Sequence, residues 1–143
     1  MTEAARRQHA AYALFNQAMA DRLGLHPTDL QCVSLLGLEP APLTTGEIAK
    51  LTGLTSGSAT RLVDRLERAG LVERNPDPDD RRRTRVSLTA HRAPEADAAW
   101  DAPADAFAEA LEGFTDEELA VIERYLHRTT EVGSAQTERL RRR

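Results

Sequence analysis

A single cysteine, Cys32, is the chain's whole complement of thiol. No internal disulfide can form, which fits a reducing cytoplasm. No run of about 18 apolar residues is present, so no membrane span is expected. The stretch MTEAARRQHAAYALF carries an apolar patch too short and too interrupted for a signal peptide. The four histidines, His9, His26, His91 and His127, are scattered, with no second ligand at metal spacing. Surface or cap positions are their ordinary reading, and no metal is expected. A nucleophile–base pair, a glycine-rich phosphate loop and a carboxylate pair are all missing. Nothing therefore speaks for an enzyme or for a cofactor.

What the chain does have is an uneven distribution of charge. Its 143 residues are enough for one domain with a real core, and 41% hydrophobic with 29% charged residues is ordinary for a soluble protein. The net charge is −4, yet Thr44 to Arg92 holds ten Lys and Arg against seven Asp and Glu. The rest of the chain holds nine against sixteen. One basic segment inside an acidic protein is the arrangement expected when one face meets phosphate.

Periodicity supplies the elements. Leu14, Phe15, Ala18, Met19 and Leu23 recur at helical spacing in a first helix, roughly Thr2 to Leu23, closed by Gly24. Pro27 suits the first turn of a second helix, with Asp29 favourable at its positive end and Leu30, Val33 and Leu36 inward, until Pro40 and Pro42. Thr44 and Glu47 match a capping box opening a short helix with Ile48 and Leu51 inward, ended by Gly53. Thr55 caps another, Ser56 to Ala69, with Leu62, Val63 and Leu66 inward and Gly70–Leu71 as its stop. Two short helices joined by a tight glycine-bearing turn make a helix-turn-helix.

The period then changes. Leu71 to Arg74 and Thr84 to Leu88 read as strands around a Pro-, Asp- and Arg-rich turn, Asn75 to Arg83. A hairpin directly after a helix-turn-helix is a wing. From Thr89 to Glu112 an alanine-rich acidic helix is expected, with a break or kink near Pro94 or Pro103. Thr115 with Glu118 forms a second capping box, Phe114 with Leu119 a hydrophobic staple, and Leu119, Ile122, Tyr125, Leu126 and Thr129 a stripe. The terminal RLRRR reads as a frayed tail.

The run LTTGEIAKLTGLTSGSATRLVDRLERAGLVERNPDPDDRRRTRVSLT, Leu43 to Thr89, closely resembles the MarR family of bacterial transcription regulators. Its DRLERAGLV piece, the DPxDRR wing and the closing VxLT carry the likeness in combination, and LGLHPTDL and FTDEELAVIERYL extend it over most of the chain. The resemblance implies a mainly α fold with a small β-hairpin wing, a six-helix winged helix-turn-helix architecture, in an intertwined homodimer. It implies one domain over 1–143, with a DNA-binding lobe at 28–89 (recognition helix about 55–69, wing about 71–88). Residues 1–27 and 90–143 would form the dimerisation region. It further implies a sequence-specific regulator, expected to be a repressor, that binds double-stranded DNA at a palindromic operator and is modulated by a small-molecule effector. The family's segment after the wing resembles one uninterrupted helix, whereas Pro94 and Pro103 intervene here.

Candidate contacts follow from the chemistry. Thr55, Ser56, Gly57, Ser58, Thr60 and Arg61 open the second helix of the helix-turn-helix, the end that meets base edges in the major groove. Arg61 is the candidate reader of a guanine edge, and Arg65, one turn on, a candidate phosphate contact. Arg82 holds the position resembling the family's wing-tip arginine, flanked by Arg81 and Arg83, and a narrow minor groove attracts such groups. Asp80 is expected to orient one of them. Tyr12, Asn16 and His26 are candidates for an effector pocket between the first two helices, and Trp100 for a buried anchor. Cys32 falls in an apolar stripe and reads as core filler. A redox switch on Cys32 is one rival account, and a winged-helix module binding an acidic protein another.

Overall fold

In the computed structural model residues 2–90 and 94–142 are described, apart from the side chains of 94–99 and 102; His91 lies outside them. The order is α1 (Glu3–Leu23), α2 (Pro27–Leu36), β1 (Leu43–Thr44), α3 (Thr45–Thr52), α4 (Ser56–Arg68), β2 (Val72–Pro76), β3 (Thr84–Leu88), α5 (Pro94–Glu109) and α6 (Asp116–Arg141). The chain divides into two compact units, Met1–Trp100 and Asp101–Arg143.

Local chemistry sets most boundaries. The Thr2 hydroxyl accepts from the Ala5 N–H to open α1, and Gly24, at φ 64°, closes it. Met19 and Ala20 are buried and Phe15 and Leu23 half-buried, but Leu14 and Ala18, expected in the same stripe, are exposed. Leu14 lies about a quarter turn from Phe15 around the helix, on a side that the described residues do not cover. His26 caps α2 through its ring nitrogen, with Pro27 in the first turn. The helix stops at Leu36, before either proline is reached.

The capping box of Thr44 and Glu47 forms as the spacing predicts. Gly53, at φ 70°, turns the chain where a side chain would strain the backbone, and Thr55 then caps α4 through the Ser58 N–H. β2 and β3 pair antiparallel, with Val72 opposite Leu88 and Arg74 opposite Val86. β1, which carries no local strand signal, pairs its two residues with Val86 and Arg85 to give the sheet order β1-β3-β2.

Leu62, Val63 and Leu66 of α4 meet Cys32, Val33 and Leu36 of α2, Ile48 of α3 and Val72 and Val86 of the sheet in one buried cluster. Met19, Ala20 and Leu30 form a second, and the half-buried Trp100 packs against both, the anchor role expected of it.

In α5 no break falls at Pro103, one of the two prolines near which a break or kink is expected. Pro94 is its first residue, where the missing N–H has no intrahelical partner to lose, and Pro103 sits inside an unbroken run. The loss of one ladder bond is not enough to end the helix. In α6 the second capping box forms, but no residue is buried: Leu119 and Ile122 are half-buried, while Tyr125, Leu126 and Thr129 are exposed. Phe114, half of the expected staple, is also exposed. The basic tail is helical to Arg141, with the Arg142 N–H still donating to the Glu138 carbonyl, so it is not the frayed end that its composition suggested.

Candidate nucleic-acid interface

The face offered by the start of α4 follows from its burial pattern. Ala59, Leu62, Val63 and Leu66 are wholly buried, which turns Thr55, Ser56, Gly57, Thr60 and Arg61 outward, with Ser58 half-buried between them. The N–H groups of Ser56 and Gly57 lie in the first turn, where a helix has no acceptors of its own. A Cβ added at Gly57 would meet nothing within 4 Å. The glycine therefore answers no packing demand of this chain and leaves the helix end bare for a close approach. The Arg61 guanidinium reaches back to the Ser58 hydroxyl at 3.3 Å, which places it over the same turn.

The wing is organised by Asp77, only 2% exposed. One of its oxygens accepts from the Asp79 and Asp80 N–H groups at 2.9 and 3.3 Å, and the other takes Arg85 Nε at 2.6 Å. These bonds, the Asp79 N–H foremost and then Arg85, hold the Asp77 carboxyl below its ordinary pKa. Arg85 also donates to the Pro42 carbonyl at 3.1 Å and lies 3.7 Å from Glu47. Glu47 in turn accepts from the Thr44 N–H and hydroxyl, which lower its pKa as well. The wing root is thus tied to the start of α3.

On this base the turn lifts Arg81, Arg82 and Arg83 into solvent. Asp80, expected to orient an arginine of the loop, accepts from the Arg82 backbone N–H at 3.0 Å and lies 3.6 Å from Arg83 Nε. Both partners of the second contact are exposed, so it contributes little to stability. Among the described residues the guanidinium groups of Arg81 and Arg82 have no carboxylate partner.

Arg65, for which the sequence suggested a phosphate contact, is held by Asp29 through Nε at 2.9 Å and Nη2 at 2.6 Å. Arg74 bridges Asp64 and Glu67 and so joins β2 to α4. Residue-by-residue reading missed Asp29, Asp77, Arg74 and Arg85 as site-building groups. Asp77 alone carried a local sign, since Asp at the head of a Pro-bearing turn is the chemistry of a side chain that bonds its own backbone.

Tyr12 and Asn16 line a cleft of about 590 Å³ between α1 and α2, with Gln31 and Ser34 opposite. His26 is not part of it; this side chain is spent on capping α2 and borders a separate depression with Asp29, Arg65 and Arg68. Cys32 is fully buried, and burial first, then the Asp29 charge, push its thiol up to about 11. A thiol so disposed is inert, which removes support from the redox account.

The family model described as MarR family matches residues 23–83. The uncharacterized HTH-type transcriptional regulator YcgE of Bacillus subtilis is 42% identical over 129 residues, covering 90% of this chain and 82% of that protein. The HTH-type transcriptional repressor NicR of Pseudomonas putida is 35% identical over 78 residues, 54% of this chain and 48% of that one. Among solved structures, a MarR family protein from Bacillus stearothermophilus superposes with a TM-score of 0.65 at 28% identity, covering 92% of each chain.

Proposed function

The chain belongs to the MarR family of DNA-binding helix-turn-helix transcriptional regulators, and we propose that it works as a homodimeric repressor on a palindromic operator in the cytoplasm. The start of α4 enters the major groove, with Arg61 reading a base edge, and the wing follows the adjacent minor groove with Arg82 at its tip and Arg81 and Arg83 alongside. One observation carries the reading: three consecutive exposed arginines stand on a hairpin apex braced from below by a buried aspartate. That arrangement concentrates positive charge where the chain as a whole is acidic. NicR, a repressor by name, supports the direction of control.

Duplex DNA reads the two lobes of a dimer at half-sites about one helical turn, near 34 Å, apart. A small molecule seated by Tyr12 and Asn16 regulates the protein only as far as it prefers one lobe separation over another. Among the described residues no helix is long and apolar enough to cross a membrane. The test is selection from a random duplex library. Enrichment of inverted half-sites with that spacing is expected; enrichment of single, unrepeated sites would remove the dimer on a palindrome, and no enrichment would remove the DNA reading.

A further inference from the structure

Asp29 and Asp77 are the buried charged residues among those described. The wing turn accounts for Asp77. Asp29 has no turn to build: it stands in the first turn of α2, is 1% exposed, and spends both oxygens on a residue 36 positions away in the recognition helix. As a stability device such a pair is poor, because an apolar pair of similar volume would serve as well or better. Geometry is what it supplies. Two parallel N–H···O bonds fix the plane of a guanidinium, which the non-directional contacts of Leu62, Val63 and Leu66 cannot do.

Arg61 and Arg65 are four residues apart and share one face of α4. The first reaches over the exposed helix start, while the second is drawn to α2 with its side chain still 43% exposed. We infer that Asp29 is a positioning residue for DNA recognition: through Arg65 it sets how far α4 is rotated, and thereby where Arg61 points. Arg65 then acts as a strut rather than as a phosphate ligand. The inference rests on the DNA reading given above.

Charge alone argues the other way, and this makes the idea testable by sign. Removing a carboxylate near DNA should strengthen binding, and a freed Arg65 should gain a phosphate. A lost strut should weaken it.

The experiment uses full-length protein and the duplex enriched from the random library. Dissociation constants are measured against salt for the natural chain, Asp29→Asn, Arg65→Gln and the double variant, with thermal melting to show that each is folded. For either single variant we expect binding about tenfold weaker, about 1.4 kcal/mol. The salt slope should stay unchanged, preference at one base position should relax, and the double variant should bind no worse than the singles. Tighter binding by Asp29→Asn overturns the inference. So does a slope reduced by about 0.9 in Arg65→Gln, the mark of one lost phosphate contact.

If the single variants melt below the assay temperature, Asp29→Leu combined with Arg65→Leu restores an apolar pair. Folded protein with weakened, less selective binding supports the strut, and binding like the natural chain overturns it. Natural protein that ignores duplex DNA would break the parent reading; natural protein that binds, with variants equal to it, breaks this inference alone.

Discussion

Leu62, Val63 and Leu66 of α4 are wholly buried, whereas α6, with 26 residues against 13, buries none of its own. Both helices start from a threonine cap, and α6 has the better start, with a reciprocal Glu118 bond and three acidic residues in its first turn. Thr55 caps one and the Thr115–Glu118 box caps the other. Capping and propensity make a helix; they do not provide a surface for it to rest on. In the unit Met1–Trp100, α2, α3, α4 and the sheet share one apolar cluster. In Asp101–Arg143, Phe107, Leu111, Phe114, Val121, Tyr125, Leu126, Val132 and Leu140 are all exposed. An exposed apolar surface of that extent marks an interaction site. The second copy in the proposed dimer is the occupant that the family assignment favours.

This contrast can be broken, and the largest effect is expected in the unit that lacks its own cover. Leu126→Glu should leave the fold of the lobe intact while sedimentation shows monomers. Operator binding should fall by about 100-fold or more as the two half-sites lose their linkage. A dimer that persists would place the contact elsewhere. Leu62→Ala acts in the opposite unit. It should cost about 2–5 kcal/mol by leaving a cavity in the core, seen as a lower unfolding midpoint at any protein concentration. Arg61→Ala should weaken operator binding by about 1–3 kcal/mol and relax one base position, whereas Arg82→Ala should weaken all sequences alike; repeated library selection distinguishes the two.

The smallest expected effect concerns acid. Asp77 and Glu47 are held below their ordinary pKa values in the folded lobe. Their contribution to stability is therefore present above the unfolded carboxylate range, about pH 4, and is lost as pH falls through the lower folded values. Acid titration of the unfolding midpoint should show that decline, and Asp77→Asn should flatten part of it. An unchanged acid limb would mean that the wing root does not depend on the ionised carboxylate.

Legibility followed the range of the interactions. Thr44 with Glu47, Thr115 with Glu118 and the glycine stops at Gly24 and Gly53 act within a turn, so spacing alone revealed them. The exposed arginines of the wing and the bare first turn of α4 were legible for the same reason. Asp29 was placed correctly in the first turn of its helix, where the dipole favours it, but its burial depends on Arg65, 36 residues away. Arg85 stayed unnoticed because its partners Asp77, Pro42 and Glu47 come from three separate segments. β1 is only two residues long and exists through its pairing with β3. Pro103 lies at the other extreme: its local penalty does not end the helix, because the turns on either side continue through it.

The salt dependence of duplex binding, compared between the natural chain and Arg82→Ala, tests the central claim most directly. Counterion release from phosphate predicts a steep straight loss of log affinity with log salt, with the slope shallower by about 0.9 when the wing-tip arginine is removed. A flat line for the natural chain, or the same slope in both proteins, would contradict a wing that brings the Arg82 charge into the minor groove between the phosphates.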